Sequence, residues 1–367
     1  MSKDEIIALL RLQNAPHIGD ISAKKLIGHC GGAEAVFSSG TSSLLNIDGI
    51  GKHTLKGLFD TEHLEAAEEE YIFIQENNLQ LYPFTHPLYP AALKHCIDGP
   101  ILLFGRGNIN LNKKRIISIV GTRNITSYGA AFCEELIAEI APLDPIIVSG
   151  FAYGVDICAQ RAAIKHGLQT IGCLAHGLNQ IYPKVHECFV GDVERNGGFL
   201  TEFWSTSQPE RENFLRRNRI IAGTSEATVV IESAEKGGSL VTADIANSYN
   251  RDVFAVPGRV QDRFSIGCNN LIKQQKAQMI TSAADLIYML GWELEEKQPQ
   301  AIQKQLFVEL DETEKDIYNY LQLGGKKMLD NIALDCKLPI FKASSTLLNM
   351  EMKGVIRPLP GKVFEAI

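Results

Sequence analysis

From Tyr82 to Leu290 short apolar runs alternate with amphipathic stretches. The runs are Ile116 to Val120, Ile146 to Ser149, Thr170 to Leu174, Phe199 to Thr201, Ala227 to Ile231, Val253 to Val256 and Gln278 to Ile280. Most are nearly continuous in Val, Ile and Leu, as strands buried on both faces are. Strands separated by helical patterns predict an α/β fold, a mostly parallel sheet with helices on both faces. Ligands of such sheets bind at the carboxyl ends of the strands, so the loops after these runs should converge on one crevice.

The flanks follow other patterns. Residues 1–81 read as a small all-α domain of helix-hairpin-helix or SAM-like type with a weak internal repeat. "HIGDISAKKLIG" (His17 to Gly28) and "GIGKHTLKGLFD" (Gly49 to Asp60) align Ile18 with Ile50, Gly19 with Gly51 and Leu26 with Leu58. Each is a hydrophobic-Gly turn opening an amphipathic helix, which suits phosphate contact and tight inter-helix turns equally. The sheet domain spans residues 82–291. Residues 292–305 are polar, interrupted by Pro299, and read as a linker. In residues 306–367 three short helices precede a two-stranded ribbon with its turn at Pro360-Gly361, a winged-helix-like pattern. Its 8 Lys/Arg stand against 9 Asp/Glu, and the third helix offers only Lys342 and Lys353 as cations, which points to protein contact or regulation rather than DNA reading.

Composition narrows the classes. A chain of 367 residues with 45% hydrophobic content supports two or three domains. A formal charge of -7 argues against indiscriminate coating of nucleic acid but leaves room for a local basic cleft. The eight cysteines are scattered without a CxxC pair and the histidines do not cluster, so neither a zinc site nor a disulfide framework is implied. No apolar run approaches the ~20 residues needed to span a bilayer. The expectation is a cytoplasmic protein without membrane contact, metal or cofactor.

Candidate chemistry lies in the loops after the strands. In "IVGTRNITSYG" (Ile119 to Gly129) a dinucleotide fingerprint would require glycine where Arg123 stands. A guanidinium there is instead a forked donor for phosphate oxygens. Arg123, Lys184, Arg216, Arg217, Arg219 and Lys236 bring positive charge from four loops, while Gly121, Ser149, Gly150, Gly237, Gly238 and Ser239 expose backbone donors. Some arginines of "RRNR" are expected to pair with Glu202, Glu210 or Glu212. His176, His186, Cys173 and Cys188 read as structural, and no catalytic residue is assigned. Phe151, Tyr153, Tyr182, Phe203, Trp204 and Phe214 sit among the cations, a combination that suits single-stranded nucleic acid.

The ordered motifs "YPAALKHCIDGPILLFGRGN", "VGTRNITSYG", "SGFAYGVDICAQRAA", "GCLAHGLNQIYPKVH", "FLTEFW", "NFLRRNRIIAG", "EKGGSLVTADIA", "RDVFAVPG" and "GCNNLIKQQKA" resemble the DNA-processing protein A (DprA/Smf) family over about Tyr89 to Ala277. The resemblance implies an extended Rossmann-like domain and a non-enzymatic single-stranded DNA-binding protein of natural transformation. Such a protein protects incoming DNA, helps load the recombinase RecA and forms homodimers. It also implies phosphate contact by Arg123, flanked by Gly121 and Thr122, by Lys184 of "YPK", and by the Arg217, Asn218, Arg219 segment. The sequence departs from the family at Gly237, where many members have serine, at Gln275 and Lys276, where Gly-Ala is usual, and at Asn179, where Asp is common.

Two other classes compete. The nucleotide monophosphate phosphoribohydrolases of the lysine-decarboxylase-like group share the sheet architecture, but "EKGGSLVTAD" lacks their Pro-Gly-Gly-x-Gly-Thr loop and the glutamate after it. A pure protein-interaction adaptor would show no DNA affinity with Arg123 and Lys184 intact.

Overall fold

The computed structural model describes residues 1–111, 115–293, 310–359 and 362–367. They divide into two compact units, Met1–Leu294 and Glu295–Ile367.

The first unit is built on a sheet of nine strands. These are β1 (Gln80–Pro83), β2 (Leu102–Gly107), β3 (Ile116–Val120), β4 (Ile146–Ser149), β5 (Thr170–Cys173), β6 (Gly197–Thr201), β7 (Ala227–Val230), β8 (Asp252–Ala255) and β9 (Gln278–Met279). Their order is β1-β2-β6-β5-β4-β3-β7-β8-β9. From β6 to β9 every pairing is parallel, whereas β1–β2 and β2–β6 are antiparallel. This antiparallel edge was not among the expected strands: Pro83, Gly105 and Gly107 interrupt the apolar pattern that marks the others.

Alternation along β3 sorts its residues between two layers. Ile116 and Val120 pack with Ile220, Ile221 and Ala243 on one face, and Ile117 and Ile119 pack with Leu136, Ile137 and Ala159 on the other. The first layer is supplied by α10 (Arg211–Thr224) and α11 (Gly238–Ser248), with α6 (Ala91–Lys94) and α12 (Ile266–Lys273) beside them. The second is α7 (Ser127–Ile140), α8 (Val155–Lys165) and α13 (Ala283–Met289). α9 (Val190–Arg195) lies against β6. Trp292, the first residue of the expected linker, is buried in the second layer, while residues 294–305 lie outside the described residues.

The amino-terminal helices α1 (Lys3–Asn14), α2 (Asp20–Cys30), α3 (Ala33–Ser38), α4 (Thr41–Leu44) and α5 (Thr61–Glu76) share a core with the sheet: Leu10, Leu12 and Leu26 cluster with Leu102, Phe104 and Phe199. The first hairpin repeat does open a helix, α2. The second does not: residues 52–59 form successive turns, with Leu55 N–H to Gly51 O at 3.2 Å and Leu58 N–H to Leu55 O at 3.3 Å. Gly57 within them has φ of 80°, which stops helical propagation. Ile18, Ile50, Leu26 and Leu58, the aligned apolar positions, are all buried.

In the second unit α14 (Glu312–Gly324), α15 (Leu329–Asp335) and α16 (Ile340–Met352) enclose Ile317, Leu321, Ile332 and Leu347. They stand with a three-stranded sheet ordered β10 (Lys327–Met328), β12 (Val363–Ala366), β11 (Ile356–Leu359), which is a winged-helix arrangement. The turn expected at Pro360-Gly361 lies outside the described residues. Phe341, Leu348 and Met352 are exposed on α16, opposite its buried Ala343, Leu347 and Met350.

Candidate nucleic-acid interface

From β3 the chain lays β4, β5 and β6 outward on one side, then returns to place β7 on the other side of β3. Strand order therefore reverses between β3 and β7, and the crevice opens where their carboxyl-terminal loops part. A cleft of about 730 Å³ occupies that place. The β3 loop contributes Gly121, Thr122 and Arg123, the β7 loop contributes Lys236 and Gly237, and α11 contributes Gly238 and Ser239. α10 contributes Arg211, Phe214, Arg217 and Asn218, and the segment after β8 contributes Arg263 and Phe264.

The β3 loop is held by backbone. Thr122 N–H donates to Glu232 O at 2.7 Å, and Val155 N–H donates to Thr122 O at 3.1 Å. A Cβ on Gly121 would stand 2.4 Å from Val155 Cγ2, so this glycine permits strand and helix to approach. Arg123 then projects exposed, its guanidinium 5.5 Å from the centre of the Phe214 ring. The Arg217 guanidinium lies 5.8 Å from the same ring, and Tyr182 meets it edge-on at 5.7 Å.

Two helices start beside the cleft, and they differ. At α7 the Glu232 carboxylate accepts from Thr126 N–H at 2.9 Å and from the Thr126 hydroxyl, which itself accepts from Gly129 N–H at 3.2 Å. The partial positive charge of that helix end is thus met by the protein's own acid. At α11 no side chain caps the start, Gly237 is extended, and the Ser239 hydroxyl turns away to donate to Ser233 Oγ at 3.0 Å. The backbone of Gly237, Gly238 and Ser239 lines the cleft, so α11 carries the helix start available to an anion.

Arg217 lies at the bottom, 4% exposed, and donates to Gly150 O at 2.8 Å and to Cys173 O. Burial pulls its pKa down, opposed by the charge of Asp156. Asp156 is the acid among the described lining residues. It accepts from Gly150 N–H at 3.1 Å and Ala152 N–H at 3.3 Å. Burial raises its pKa against the pull of Arg217 and these donors. Arg123, Arg211, Lys236 and Arg263 are exposed above this pair and leave the cleft strongly cationic.

The sequence-derived candidates divide accordingly. Gly121, Thr122, Arg123, Arg217, Asn218, Lys236, Gly237, Gly238 and Ser239 line the cleft. Lys184 lies outside it, exposed, two residues after the Tyr182 that touches Phe214. Ser149 and Gly150 are buried: the serine hydroxyl donates to Ile119 O at 2.7 Å, and both polar backbone atoms of the glycine are engaged by Asp156 and Arg217. Arg219 faces the other side of α10, where it meets Glu202, Asp20 at 3.1 Å and Asp98 O. Arg216 joins Glu202 at 2.7 Å, so the expected pairing with Glu202 holds for two arginines. His176 and His186 are buried with ring nitrogens on Gly177 O (2.8 Å) and Phe151 O (3.0 Å), as structural histidines.

Arg211, Arg263, Phe264 and Asp156 were not singled out in the sequence. For Arg211 a signal existed, because Arg211, Phe214 and Asn218 follow helical spacing on one face. Among the described residues no group of three or more His, Cys, Asp and Glu is placed to hold a metal ion, and no helix is long and apolar enough to cross a membrane.

Comparisons with known proteins converge on one family. The family model for DNA recombination-mediator protein A matches residues 80–291, and that for the DprA winged helix domain matches residues 308–362. The chain is 39% identical over 213 residues to the DNA processing protein DprA of Bacillus subtilis, covering 58% of this chain and 71% of that protein. The X-ray structure of DNA processing protein A from Streptococcus pneumoniae superposes with a TM-score of 0.67 at 28% identity, covering 78% of this chain and 98% of that one. The Helicobacter pylori DNA processing protein A, whose structure concerns its single-stranded DNA binding mode, superposes with a TM-score of 0.53 at 29% identity, covering 58% and 97%.

Proposed function

The chain belongs to the DNA recombination-mediator protein A family, and from that footing we propose that its switch-point cleft binds single-stranded DNA through the phosphate backbone. The observation that carries this reading is the joining, in one cleft, of Arg123, Arg211, Lys236 and Arg263 with the uncapped start of α11. Phosphates would rest against Arg123 and the Gly237-Gly238-Ser239 backbone, and Phe214 lines the same cleft as an adjacent aromatic surface. Lys184 would hold a neighbouring phosphate at the rim. Ser149, Gly150 and Arg219 are left out of the contact set, since internal hydrogen bonds and ion pairs engage them.

The choice of a single strand is supported by the exposed ring of Tyr182 near the cleft and by the binding mode described for the Helicobacter pylori relative. In the cell, the protein would act in the cytoplasm as a homodimer that shields incoming strands and helps load RecA during natural transformation. Hydrolysis of nucleotides is disfavoured chemically: Asp156 is buried and held by the N–H groups of Gly150 and Ala152, and Glu232 closes the start of α7. Neither carboxylate is free to activate water.

The test is a nuclease-protection and strand-exchange assay with purified protein and RecA. The expected result is that wild type slows exonuclease digestion of single strands and speeds RecA assembly on strands coated by a single-strand-binding protein, with both effects lost in Arg123→Ala. Protection without any effect on RecA would remove the loading role and leave the DNA-binding one.

A further inference from the structure

Beyond the ridge formed by Arg263 and Phe264 the cleft continues into a second hollow of about 870 Å³ over the carboxyl ends of β7 and β8. The two hollows share those residues and differ in charge. In the first, four exposed cations stand above a neutralised acid. In the second, Arg259 and Arg263 are balanced by Asp262 and Glu232. A balanced lining gives a phosphate no net attraction.

What the second hollow adds is a fixed aromatic surface. Tyr128, at the start of α7, is 52% exposed, and its hydroxyl donates to Pro257 O at 3.1 Å. The opposite wall is held as firmly: the Asn269 side chain brackets Gly258 through its N–H (3.2 Å) and O (3.0 Å), and Ser233 N–H donates to Phe264 O at 2.7 Å. Asp262 is exposed beside them.

We propose that this second hollow is a nucleobase subsite, in which the Tyr128 ring stacks the base of the nucleotide next to the phosphate held in the first cleft. Arg263 on the shared ridge keeps the backbone on the cationic side, and the Asp262 carboxylate accepts from the exocyclic amine of the base. Thymine has no such amine, so cytosine and adenine are favoured over it. The subsite rests on the reading of the first cleft as a single-strand site.

The experiment uses the full chain and fluorescence anisotropy with labelled oligo-dC and oligo-dT. Wild type, Arg123→Ala, Tyr128→Leu, Tyr128→Phe and Asp262→Asn are compared across salt, with thermal melting to confirm folding. Wild type should bind oligo-dC several-fold more tightly than oligo-dT. Tyr128→Leu should weaken binding roughly ten-fold, as one lost base stack does, with the salt slope kept. Tyr128→Phe, which keeps the ring and loses only the tether to Pro257 O, should weaken binding less than Tyr128→Leu does, and Asp262→Asn, whose amide can also donate to thymine O4, should erase the preference for oligo-dC. If Arg123→Ala weakens binding and Tyr128→Leu does not, the subsite is overturned and the first cleft stands. If wild type binds no single strand at low salt, the first cleft falls and the subsite with it.

Discussion

Three arginines within one turn of α10 show how position decides role. Arg217 is buried beneath the cleft, bonded to Gly150 O and Cys173 O and near the charge of Asp156, whereas Arg219 is buried on the opposite face against Glu202 and Asp20. Arg216 shares the same acids but keeps half its side chain in solvent. Removing a partner from a buried pair leaves an uncompensated charge, so Arg219→Ala should cost about 3–5 kcal/mol in urea unfolding. Arg216→Ala, screened by water, should cost less than about 1 kcal/mol in the same measurement. Neither change should alter the salt slope of DNA binding. His176 gives the pH dependence its sign. Burial, helped by the charges of Arg217 and Arg106, holds its pKa below the ordinary 6.5. Below that value the unfolded chain therefore binds more protons than the folded one, and stability falls as pH drops through about 6.5. Urea unfolding across pH should show this decline, and His176→Gln should flatten it.

At the scale of elements, the parallel strands β3 to β9 were legible because buried parallel strands leave unbroken apolar runs, and the loops after them carry glycine and cations, whereas β1 and β2 of the antiparallel edge were not. The sides taken by Arg217 and Arg219 were legible only through helical phase, which places Arg211, Phe214 and Asn218 on one face and Arg216 and Arg219 on another. The burial of Ser149 and Gly150 left no local mark, since it depends on Asp156 and Arg217 arriving from other elements. Nor did the sequence reveal that Glu232 closes α7, a contact across 106 positions. The junction at Gly121 makes a sharper test of element packing. Gly121→Ala forces a Cβ against Val155 and should cost about 1–3 kcal/mol of stability by overpacking. It should also loosen DNA binding, because Arg123 is carried on the displaced loop.

For the whole molecule, a net charge of -7 coexists with a cationic cleft because the positive groups are gathered by topology rather than by composition. The cleft lies entirely within the first unit, and the winged-helix unit has a core of its own. A chain ending at residue 293 should therefore bind a single strand with the affinity and salt slope of the full chain. Analytical binding of the two side by side checks this, and a large loss would place the winged unit in the DNA interface. The exposed Phe341, Leu348 and Met352 of α16 instead support its use in protein contact. Binding through phosphates in the switch-point cleft is tested most directly by anisotropy of labelled oligo-dT and the matching duplex titrated across salt, for wild type and Arg123→Ala. Salt-sensitive binding that favours the single strand, with the slope of log K against log salt reduced by roughly 0.7 in the variant, is the expected result. Unchanged affinity and slope in Arg123→Ala would contradict it.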